Sequence, residues 1–471
     1  MRIAFVFAPY LHKKFEEDVD VVSREFGTFP PLGLGFAAAI ADKAGHETMI
    51  VDAHAEALSP RQVYARIRPF KPDLLGFMLT TYMFHDTMKY ITALKERTGL
   101  PVVVGNIQME LYPEETLSYP AIDYGIIGSA QQALPELLAA LEAGREAPDV
   151  PGLCHRGRNG DPVIRLPDTL RENFDTLPFP KREGLPHHIY HAVMSRKRNL
   201  TSMITAKGCP GGCTFCHIHA TPYSARAPDA VIDEMELCQR RYGINEFEIF
   251  DPSFTINRKR VIALCDEIEG RRLKLDYAVR ARVDQVDAEL LNRMARSGCR
   301  RILYGIESGS QQQLEVMQKG ITMEQVRQAV GDARRAGIEA LGFFLIGSQG
   351  ETLQTVDETV RFARELGLDY AQFHRTMPKP HTVLNEIVTE FLGYDYWREY
   401  TLGNQPEIRL PSPWTELTQA EIERAAYRAY RQFYMHPRVL ARHVLSIRSP
   451  QMFMRYLRSG LGLLFGRSDL K

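Results

Sequence analysis

Three closely spaced cysteines constrain this chain more than any other feature of its sequence. Cys209, Cys213 and Cys216 lie in the segment Cys209-Pro-Gly-Gly-Cys213-Thr-Phe-Cys216, and the strand-like run Ser202-Met-Ile-Thr205 precedes it. Thiolates are soft ligands that suit iron–sulfur clusters or zinc. Three of them leave one iron of a four-iron cluster without a protein ligand, and a substrate or co-substrate can bind there.

Zinc held by three cysteines and one histidine is the alternative interpretation, with His217 or His219 as the fourth ligand. His217 directly follows Cys216, and the side chains of adjacent residues diverge, so it is awkward for both to bind one small ion. The cysteine spacing and the strand before it therefore favour the cluster.

The composition is that of a soluble globular protein with more than one domain. The 471 residues contain 58 basic and 58 acidic side chains, so the net charge gives no case for nucleic-acid binding. Outside the motif the cysteines are scattered, which argues for a reducing compartment and not for a disulfide framework. The first apolar run is too short for a signal peptide and no run reaches membrane-spanning length, so we expect a cytoplasmic location. The scattered cysteines are Cys154, Cys238, Cys265 and Cys299.

The cysteine spacing, with the aromatic Phe215 just before the last cysteine, resembles that of the radical S-adenosylmethionine enzymes. The resemblance implies that Cys209, Cys213 and Cys216 bind a [4Fe–4S] cluster, whose open iron chelates the amino and carboxylate groups of S-adenosylmethionine. Electron transfer then splits the sulfonium and gives a 5′-deoxyadenosyl radical. An electron donor such as flavodoxin or ferredoxin is implied as a partner.

Residues 1–142 alternate between short apolar runs and helical patterns, which predicts a doubly wound parallel sheet. Ligands of such sheets bind at the carboxyl ends of the strands. The expected strands are Ile3–Phe7, Thr48–Val51, Leu74–Phe77, Val102–Val104 and Tyr124–Ile127, and the expected helices are Gly33–Ala44, Pro60–Arg68, Asp86–Arg97 and Leu134–Ala143.

This region resembles the cobalamin-binding domain that precedes the radical domain in one large subgroup of these enzymes. The resemblance rests on Phe29-Pro-Pro-Leu-Gly-Leu-Gly35, Leu79-Thr-Thr-Tyr82, Pro113-Glu-Glu115 and Ile122-Asp-Tyr124, in that order and spacing. It implies that cobalamin binds at the carboxyl edge of the sheet. The implied contacts are Pro31, Leu32, Gly33, Thr80, Thr81, Gly105, Gln108 and Gly128.

Two loops depart from the usual pattern of that domain. Gly105-Asn-Ile-Gln108 stands where relatives usually have Gly-Gly, and Gly128-Ser-Ala-Gln131 stands where Gly-Glu-Gly-Glu is usual. Asp52-Ala-His54 echoes a motif that supplies an axial cobalt ligand in other cobalamin proteins, but here it follows the second strand and not the first. We expect His54 to be a surface residue and not a cobalt ligand. A degenerate scaffold without cobalamin is the alternative for this region.

A proline-rich linker, residues 143–200, leads into residues 201–383. The linker contains one hairpin signal, Asn159-Gly-Asp, between two strand-like runs. Six strand–helix units follow, and they suit an open (β/α)6 barrel with its chemistry at the carboxyl ends of the strands. The expected strands lie near Ser202–Ala206, Glu246–Asp251, Leu275–Val279, Arg301–Ile306, Ala340–Ile346 and Tyr370–Phe373.

Polar residues at the ends of the second and third of these strands resemble contacts of S-adenosylmethionine in the family. Asp251 stands where a polar residue of relatives helps to hold the amino group. Arg280 and Arg282 are candidates for pairing with the carboxylate, and we favour Arg282 because one of the two is expected to be a surface charge.

The later strand ends supply further candidates. Glu307, followed by Ser308, lies in a string close to a family signature and is a candidate acceptor for the ribose hydroxyls. Gly347 ends the fifth strand, where backbone groups meet adenine in relatives. Tyr370 and His374, on the sixth strand, are candidates for contacts with the substrate.

Residues 384–471 are predicted to form a helical, arginine-rich C-terminal region. An aromatic cluster around Trp397 comes first, and a capping box formed by Thr418 and Glu421 begins a helix. The stretch 424–466 contains no acidic residue. This region is expected either to pack on the barrel as a lid or to meet an anionic membrane surface or an anionic, apolar substrate.

The resemblance implies a cobalamin-dependent radical enzyme that acts on a small molecule. Relatives of this kind commonly methylate an unactivated carbon or carry out an oxidative cyclisation, as the anaerobic cyclase of tetrapyrrole biosynthesis does. We expect methyl transfer, the commoner outcome, on a large apolar substrate such as a tetrapyrrole, a lipid or a secondary metabolite. An iron–sulfur redox or sensor protein is the alternative outside this class, and the strand-end residues argue against it because a carrier needs no nucleotide site.

Overall fold

The structure is a computed structural model, and it describes residues 1–10, 27–157, 159–168, 174–192, 194–195, 199–405, 408 and 410–446. These residues form two compact units. Within the described ranges, the first unit contains residues 1–10, 28–190 and 395–408, and the second contains residues 191–394 and 410–446. No helix in the described part of the chain is long and apolar enough to cross a membrane.

The first unit is built on a seven-stranded sheet with the order β2-β1-β3-β4-β5-β6-β7. Its first five members are parallel, which confirms the predicted doubly wound sheet, and β6 and β7 form an antiparallel hairpin that extends the sheet at one edge. The strands are β1 (Arg2–Phe7), β2 (Glu47–Asp52), β3 (Leu74–Met78), β4 (Val102–Gly105), β5 (Tyr124–Ile126), β6 (Leu153–Arg156) and β7 (Pro162–Val163).

Helices connect these strands in the order that the alternating pattern predicts. Close packing fixes the sheet locally: at Gly76 an added Cβ would lie 2.4 Å from the ring of Phe5 on the neighbouring strand, so a side chain there would displace that ring. The helices are α1 (Leu32–Lys43), α2 (Pro60–Ile67), α3 (Phe84–Thr98), α4 (Ile107–Leu111), α5 (Pro113–Leu117) and α6 (Ala130–Glu142), with 3-10 turns at Arg68–Phe70, Thr81–Met83 and Phe174–Thr176.

The second unit is an open barrel of six parallel strands that follow one another in chain order. The predicted (β/α)6 architecture is therefore confirmed. The strands are β8 (Leu200–Met203), β9 (Glu246–Ile249), β10 (Asp276–Ala281), β11 (Cys299–Glu307), β12 (Glu339–Ile346) and β13 (Tyr370–Arg375), and two-residue strands lie at Gly27–Thr28, His191–Ala192, Ala206–Lys207 and Ser224–Ala225.

Seven helices accompany the barrel strands in the described ranges. The apolar faces of the first six pack on the outside of the sheet, whereas Leu384 and Val388 of the seventh pack with Trp414. The seven helices are α7 (Pro228–Tyr242), α8 (Arg258–Gly270), α9 (Ala288–Arg296), α10 (Gln311–Val316), α11 (Met323–Arg335), α12 (Leu353–Glu365) and α13 (Val383–Leu392), with a 3-10 turn at Val283–Gln285.

The predicted C-terminal region is divided between the two units. Helix α14 (Tyr396–Thr401) belongs to the first unit, whereas α15 (Gln419–Tyr434) and α16 (Pro437–Ser446) belong to the second. The apolar face of α15 packs against α12 and β13 as part of the barrel core, which agrees with the lid interpretation. Arginines 448, 455 and 458 of the predicted basic surface lie outside the described residues.

A buried ionic network closes the barrel interior near the amino ends of the strands. Arg301 on β11 is only 3% exposed, and its guanidinium lies 3.3 Å from Glu248 on β9 and 3.2 Å from Glu339 on β12. It also donates to the carbonyl oxygen of Met194. A buried charge of this kind is tolerated because it is paired, and its removal leaves the partner charge uncompensated.

We expect Arg301→Met to reduce the free energy of unfolding by about 3–5 kcal/mol, because Glu248 would remain buried without its cation. The midpoint of urea denaturation measures the change. Arg258→Met is the matched control, since Arg258 pairs with the exposed carboxylates of Asp287 and Glu289 and should cost under about 1 kcal/mol. Equal losses in the two variants would contradict the importance of the buried network.

Candidate active site

The cysteine loop leaves β8 and is closed at its base by a short antiparallel ladder. Ala206–Lys207 pairs with Ser224–Ala225, and the N–H of Arg226 donates to the carbonyl oxygen of Thr205 at 3.0 Å. At Gly208 the backbone has a φ of 80°, and an added Cβ would lie 1.9 Å from the carbonyl oxygen of Pro222. This close approach requires glycine, and it holds the two ends of the loop together.

Asp251, just beyond β9, fixes the start of the cysteine loop. Its carboxyl is completely buried and accepts hydrogen bonds from the N–H of Thr205 at 2.6 Å, the N–H of Ala206 at 2.9 Å and the hydroxyl of Thr205 at 2.5 Å. Burial raises the pKa of Asp251, and these hydrogen bonds act in the opposite direction. In this geometry Asp251 holds the backbone of the loop, and its contact with S-adenosylmethionine stays a prediction.

Arg260 on α8 also holds this part of the loop, and no pattern in the sequence indicated it. Its Nε donates to the carbonyl oxygen of Arg226 at 2.8 Å, and its Nη2 donates to that of Thr205 at 3.1 Å. One guanidinium therefore joins the two ends of the cysteine loop. The side chain is 7% exposed, so these hydrogen bonds form out of contact with bulk water.

Burial and neighbouring groups shift the pKa values of the loop thiols in opposite directions. Burial raises the pKa of the Cys213 thiol, while the cations of Lys319 and Arg282 lower it. Burial also raises the pKa of Cys216, and the N–H of Ile218 lowers it. Since the thiolate is the form that binds iron, the neighbouring cations favour the form needed for a cluster.

In the zinc alternative His217 or His219 is the fourth ligand, and the structure gives a backbone contact for the ring of His219. His219 Nδ1 lies 2.5 Å from the carbonyl oxygen of Cys216, which fixes the ring against the backbone of its own loop. The donor set of three thiols beside two cations fits the iron–sulfur cluster that the sequence predicts.

Lys319 is the main site residue that sequence reasoning missed. Its Nζ donates to Glu307 Oε1 at 2.7 Å, and both side chains are buried. Burial acts to lower the pKa of Lys319, but the Glu307 carboxylate and the Cys213 thiol outweigh it and raise the pKa. The ammonium lies 6.0 Å from the ring centroid of Phe215, so one cation meets the loop thiol, its aromatic neighbour and the carboxylate.

The two arginines at the end of β10 differ in position. Arg282 donates to both carboxylate oxygens of Asp284 at 2.9 Å and to the carbonyl oxygen of Lys319 at 2.8 Å. Its Nη1 lies 3.5 Å from the place where a Cβ on Gly211 would stand, so it approaches the cysteine loop. Arg280 instead lies over the ring of Phe250, 4.3 Å from the centroid. The preference for Arg282 stays a prediction, and neither arginine is a surface charge: the side chain of Arg282 is 15% exposed, and Arg280 is half-buried.

Ser308 and Gly347, predicted to contact S-adenosylmethionine at the ends of the fourth and fifth barrel strands, have hydrogen-bond partners within the protein. Ser308 Oγ lies 3.2 Å from Thr359 Oγ1 on α12, away from the thiols. Gly347 donates its N–H to Glu351 and accepts a hydrogen bond from the indole of Trp414 at 2.8 Å. Both backbone groups of Gly347 therefore have partners within the protein, although its carbonyl oxygen can accept a second hydrogen bond, and the adenine contact stays a prediction.

Glu351 is a buried carboxyl beside that strand end. Its Oε2 accepts from the N–H groups of Gly347 and Ser348, while its Oε1 is buried and has no hydrogen-bond partner among the described residues. Burial raises the pKa of Glu351 to about 7, and the two N–H groups lower it in part. This carboxyl can hold a proton near neutral pH at the carboxyl edge of the barrel.

The two predicted substrate residues lie at opposite ends of β13. Tyr370 begins the strand, where its ring lies 5.8 Å from the Arg301 guanidinium and 5.2 Å from the His443 ring. It therefore belongs to the closed amino end of the barrel and not to the side of the cysteine loop. His374 lies near the carboxyl end and packs beside Phe343, with ring centroids 5.6 Å apart, which keeps it a candidate.

The predicted cobalamin residues gather at the carboxyl edge of the first sheet. Thr81 is buried, and its hydroxyl has no hydrogen-bond partner among the described residues, which suits a polar group of a bound cofactor. At Gly105 an added Cβ would meet nothing closer than 3.8 Å, so the edge is open there. Pro31, Leu32 and Gly33 lie at the start of α1, Thr80 precedes the 3-10 turn, and Gly128 precedes α6.

Gln108, just after β4, differs from the others in its partners. It is completely buried, and its amide nitrogen donates to the hydroxyls of Thr116 at 3.1 Å and Thr401 at 3.2 Å. Its amide oxygen has no hydrogen-bond partner among the described residues, so the contact of Gln108 with cobalamin stays a prediction. His54 stacks on Tyr10 with ring centroids 4.4 Å apart and is half-buried, so the predicted surface position holds only in part.

The fold and the site together indicate one class of protein. A six-unit barrel carries a three-cysteine loop after its first strand, and a separate parallel-sheet unit has an open carboxyl edge of the kind that binds cobalamin. Two protein-family models match this division: the radical SAM superfamily over residues 203–363 and the B12 binding domain over residues 19–138.

Curated relatives agree over most of the chain. An uncharacterized methyltransferase of Pyrococcus horikoshii is 32% identical over 431 residues, which cover 90% of this chain and 92% of that protein. The anaerobic magnesium-protoporphyrin IX monomethyl ester cyclase of Rubrivivax gelatinosus is 26% identical over 423 residues, 87% of this chain and 74% of the cyclase.

A solved structure shows the same fold. The radical S-adenosylmethionine methyltransferase TsrM of Kitasatospora setae, with cobalamin and a [4Fe–4S] cluster bound, has a TM-score of 0.68 at 22% identity, over 82% of this chain and 78% of that chain. With the family models and the curated relatives, the chain belongs to the cobalamin-dependent radical S-adenosylmethionine enzymes. Enzymes of this family use a [4Fe–4S] cluster, S-adenosylmethionine and cobalamin.

We expect Asp251→Ala to lose most of its iron and sulfide while the chain stays folded. Three hydrogen bonds to the start of the cysteine loop would disappear, at a cost of about 3 kcal/mol or more to the loop conformation. Iron and sulfide analysis after anaerobic reconstitution measures the effect. Asp266→Ala removes an exposed carboxylate on α8 and should keep wild-type iron. Full iron content in the Asp251 variant would show that these hydrogen bonds are dispensable.

Glu351 should make stability depend on pH. Because its folded pKa is raised to about 7, its stabilising effect is full below the ordinary carboxyl pKa and is lost as the pH rises through about 7. Glu351→Gln keeps an acceptor for both N–H groups and removes the titration. From about pH 5.5 to about pH 8.5, the wild type should lose about 2 kcal/mol more unfolding free energy than the variant. Parallel pH profiles in urea denaturation would rule this out.

Proposed function

We propose that the protein is a methyltransferase that acts on an unactivated carbon of a large, apolar small molecule. The observation that carries the proposal is the buried Glu307–Lys319 pair beside Cys213 in a chain that also has the cobalamin-type unit. The pair provides a carboxylate and an ammonium beside the cysteine loop. These are the charges that an amino acid with a ribose group requires for recognition.

The side chains around the loop have distinct roles in this proposal. Lys319 Nζ and the Arg282 guanidinium attract the carboxylate of S-adenosylmethionine, and Glu307 accepts hydrogen bonds from its ribose hydroxyls or amino group. Phe215 provides an apolar surface for the nucleoside. When bound, the cluster supplies the electron that cleaves S-adenosylmethionine, and cobalamin carries the methyl group.

An apolar substrate is supported by the surroundings of the loop. Phe215 packs against a cluster of Leu384, Val388 and Trp414, so an apolar wall adjoins the cysteine loop within the second unit. On α13, Phe391 is 64% exposed and offers further apolar surface. His374, near the carboxyl end of β13, can orient a substrate, and Glu351, beside the end of β12, can hold a proton.

Cyclisation is the second candidate function, and the similarity to the cyclase of Rubrivivax gelatinosus favours it. That relative is less similar to this chain than the methyltransferase of Pyrococcus horikoshii is, over a comparable length. A radical enzyme that works without bound cobalamin and an iron–sulfur sensor are the remaining alternatives. The two buried charges at Glu307 and Lys319 argue against a sensor, since a sensor needs no such nucleotide-binding pair.

Partners and location follow from the same proposal. We propose a flavodoxin or ferredoxin as the electron donor, a cytoplasmic location, and a peripheral membrane contact only through the C-terminal arginines. Two of these arginines have other uses in the structure, since Arg428 pairs with Asp357 at 2.9 Å and Arg442 with Asp369 at 3.5 Å. The described part of the C-terminal region thus gives the membrane contact little support.

The products distinguish the candidates. Incubated anaerobically with reductant, cobalamin and S-adenosylmethionine, the wild type should form both 5′-deoxyadenosine and S-adenosylhomocysteine, because methyl transfer consumes S-adenosylmethionine in both ways. Cys213→Ala should lower both products by at least about a hundredfold, an expected loss of more than about 2.7 kcal/mol in barrier stabilisation. Cys238→Ala, a buried cysteine outside the loop, should retain them.

Deoxyadenosine without S-adenosylhomocysteine in the wild type would contradict methyl transfer and favour cyclisation. Product formation that is unchanged in the Cys213 variant would contradict the radical mechanism altogether.

A further inference from the structure

The aromatic cluster around Trp397 has no place in the barrel chemistry, and the structure puts it elsewhere. Helix α14 belongs to the first unit, although about 200 residues of barrel sequence separate it from the rest of that unit. Trp397 is completely buried, and Tyr396, Tyr400 and Thr401 are almost completely buried. This burial makes α14 an integral part of the parallel-sheet unit and not a loose appendage.

One side of α14 holds the loop that follows β3. The rings of Tyr82 and Trp397 meet edge to face, with centroids 5.2 Å apart. His85 Nε2 lies 2.6 Å from the carbonyl oxygen of Tyr400, and the two rings are 4.6 Å apart. The loop that carries Thr81 is therefore packed against the C-terminal helix.

The other side of α14 holds the segment that follows β4. Gln108 donates its amide to the hydroxyl of Thr401 at 3.2 Å, and the hydroxyl of Tyr119 donates to the carbonyl oxygen of Thr401 at 2.6 Å. The hydroxyl of Tyr112 donates to the Asp395 carboxylate at 3.1 Å. Three hydrogen bonds thus join the helix and its cap to α4, α5 and the turn after them.

Both segments lie at the carboxyl edge of the sheet, where the predicted cobalamin contacts gather. They are also joined to each other, since the N–H of Gln108 donates to the carbonyl oxygen of Leu79 at 3.3 Å. The hydroxyl of Thr81 and the amide oxygen of Gln108 are buried and have no hydrogen-bond partner among the described residues. Two orphaned polar atoms in loops braced by one helix are consistent with a polar ligand that completes this edge.

We propose that α14 is a positioning element for cobalamin: it braces the loops after β3 and β4 in the conformation that binds the cofactor. Thr401 acts through Gln108, and Trp397 acts through Tyr82. The inference concerns the family cofactor and does not depend on whether the reaction is methylation or cyclisation.

Substitutions at Thr401 in the full-length chain test the proposal. Thr401→Val keeps the shape and removes the hydroxyl that accepts from Gln108, so the loops lose their preorganisation. Hydroxocobalamin is the probe, and its dissociation constant is measured by equilibrium dialysis. We expect about tenfold weaker binding, the effect of one buried hydrogen bond left unmade. Thr401→Ser restores the hydroxyl and should bind within about twofold of wild type.

Two further measurements separate positioning from general damage. Hydrogen exchange in residues 79–85 and 106–119 should be faster in the Thr401→Val variant, while iron content, which belongs to the second unit, should be unchanged. Leu402→Ala is the matched control, because Leu402 adjoins Thr401 but is 39% exposed, and it should bind as wild type does.

Unchanged hydroxocobalamin affinity in folded Thr401→Val would overturn the proposal, as would a wild type that binds no hydroxocobalamin. If Thr401→Val does not fold, Tyr119→Phe replaces it, because this change removes only the hydroxyl that donates to Thr401. Wild-type affinity in Tyr119→Phe would then overturn the proposal, and weaker binding with intact iron content would support it.

Discussion

The active site depends on the hydrogen bonds that the buried Asp251 carboxyl accepts from the backbone of Thr205 and Ala206. These two N–H groups lie where β8 ends and the cysteine loop begins, and buried backbone donors without partners are costly. Once Asp251 satisfies them, the loop leaves the barrel in one direction. Arg260 then closes the loop from outside by binding the carbonyl oxygens of Thr205 and Arg226. The positions of three thiols are thus determined by two charged side chains that need not touch any cofactor.

Charge balance explains why the loop can bind an anionic cluster inside a buried site. Lys319 and Arg282 lie beside the thiol of Cys213, and Glu307 compensates Lys319 in turn. A lone buried ammonium would be unstable, so the carboxylate that pairs with Lys319 is needed even before any ligand binds. Arg282 is likewise paired with Asp284. The cations are therefore preorganised by protein carboxylates and meet a ligand without large rearrangement, which reduces the cost of binding.

The sequence predicted those features that local patterns determine. Apolar runs gave the parallel strands of both units, and the cysteine spacing gave the loop after β8. Contacts between residues far apart in the chain could not be predicted from local patterns. Lys319 follows a short helix with no special pattern, and Gln108 and Thr401 are 293 positions apart in the sequence. The sequence predicted the positions of the strand ends correctly, but it could not predict which way a side chain points there. A carboxyl such as Asp251 can face the loop backbone or the ligand with the same neighbours in the sequence. The separation of α14 from α15 has the same origin, since both helices are amphipathic and only packing decides which unit each joins.

Glu307 shows that the fold accepts local strain to place one carboxylate. Its φ is 71°, in the left-handed region where a residue with a Cβ costs about 1–3 kcal/mol. Gly305 leaves the space for it, because an added Cβ there would lie 2.6 Å from Glu307 Oε1 and 2.8 Å from Lys319 Nζ. The ion pair with Lys319 and the parallel pairing with Phe344 on β12 hold the strained residue in place. Strain held by surrounding contacts is typical of residues positioned for a ligand. Because relaxation of Glu307 would break the pair that balances the cation beside Cys213, the strained backbone and the charge of the cysteine loop form one coupled unit.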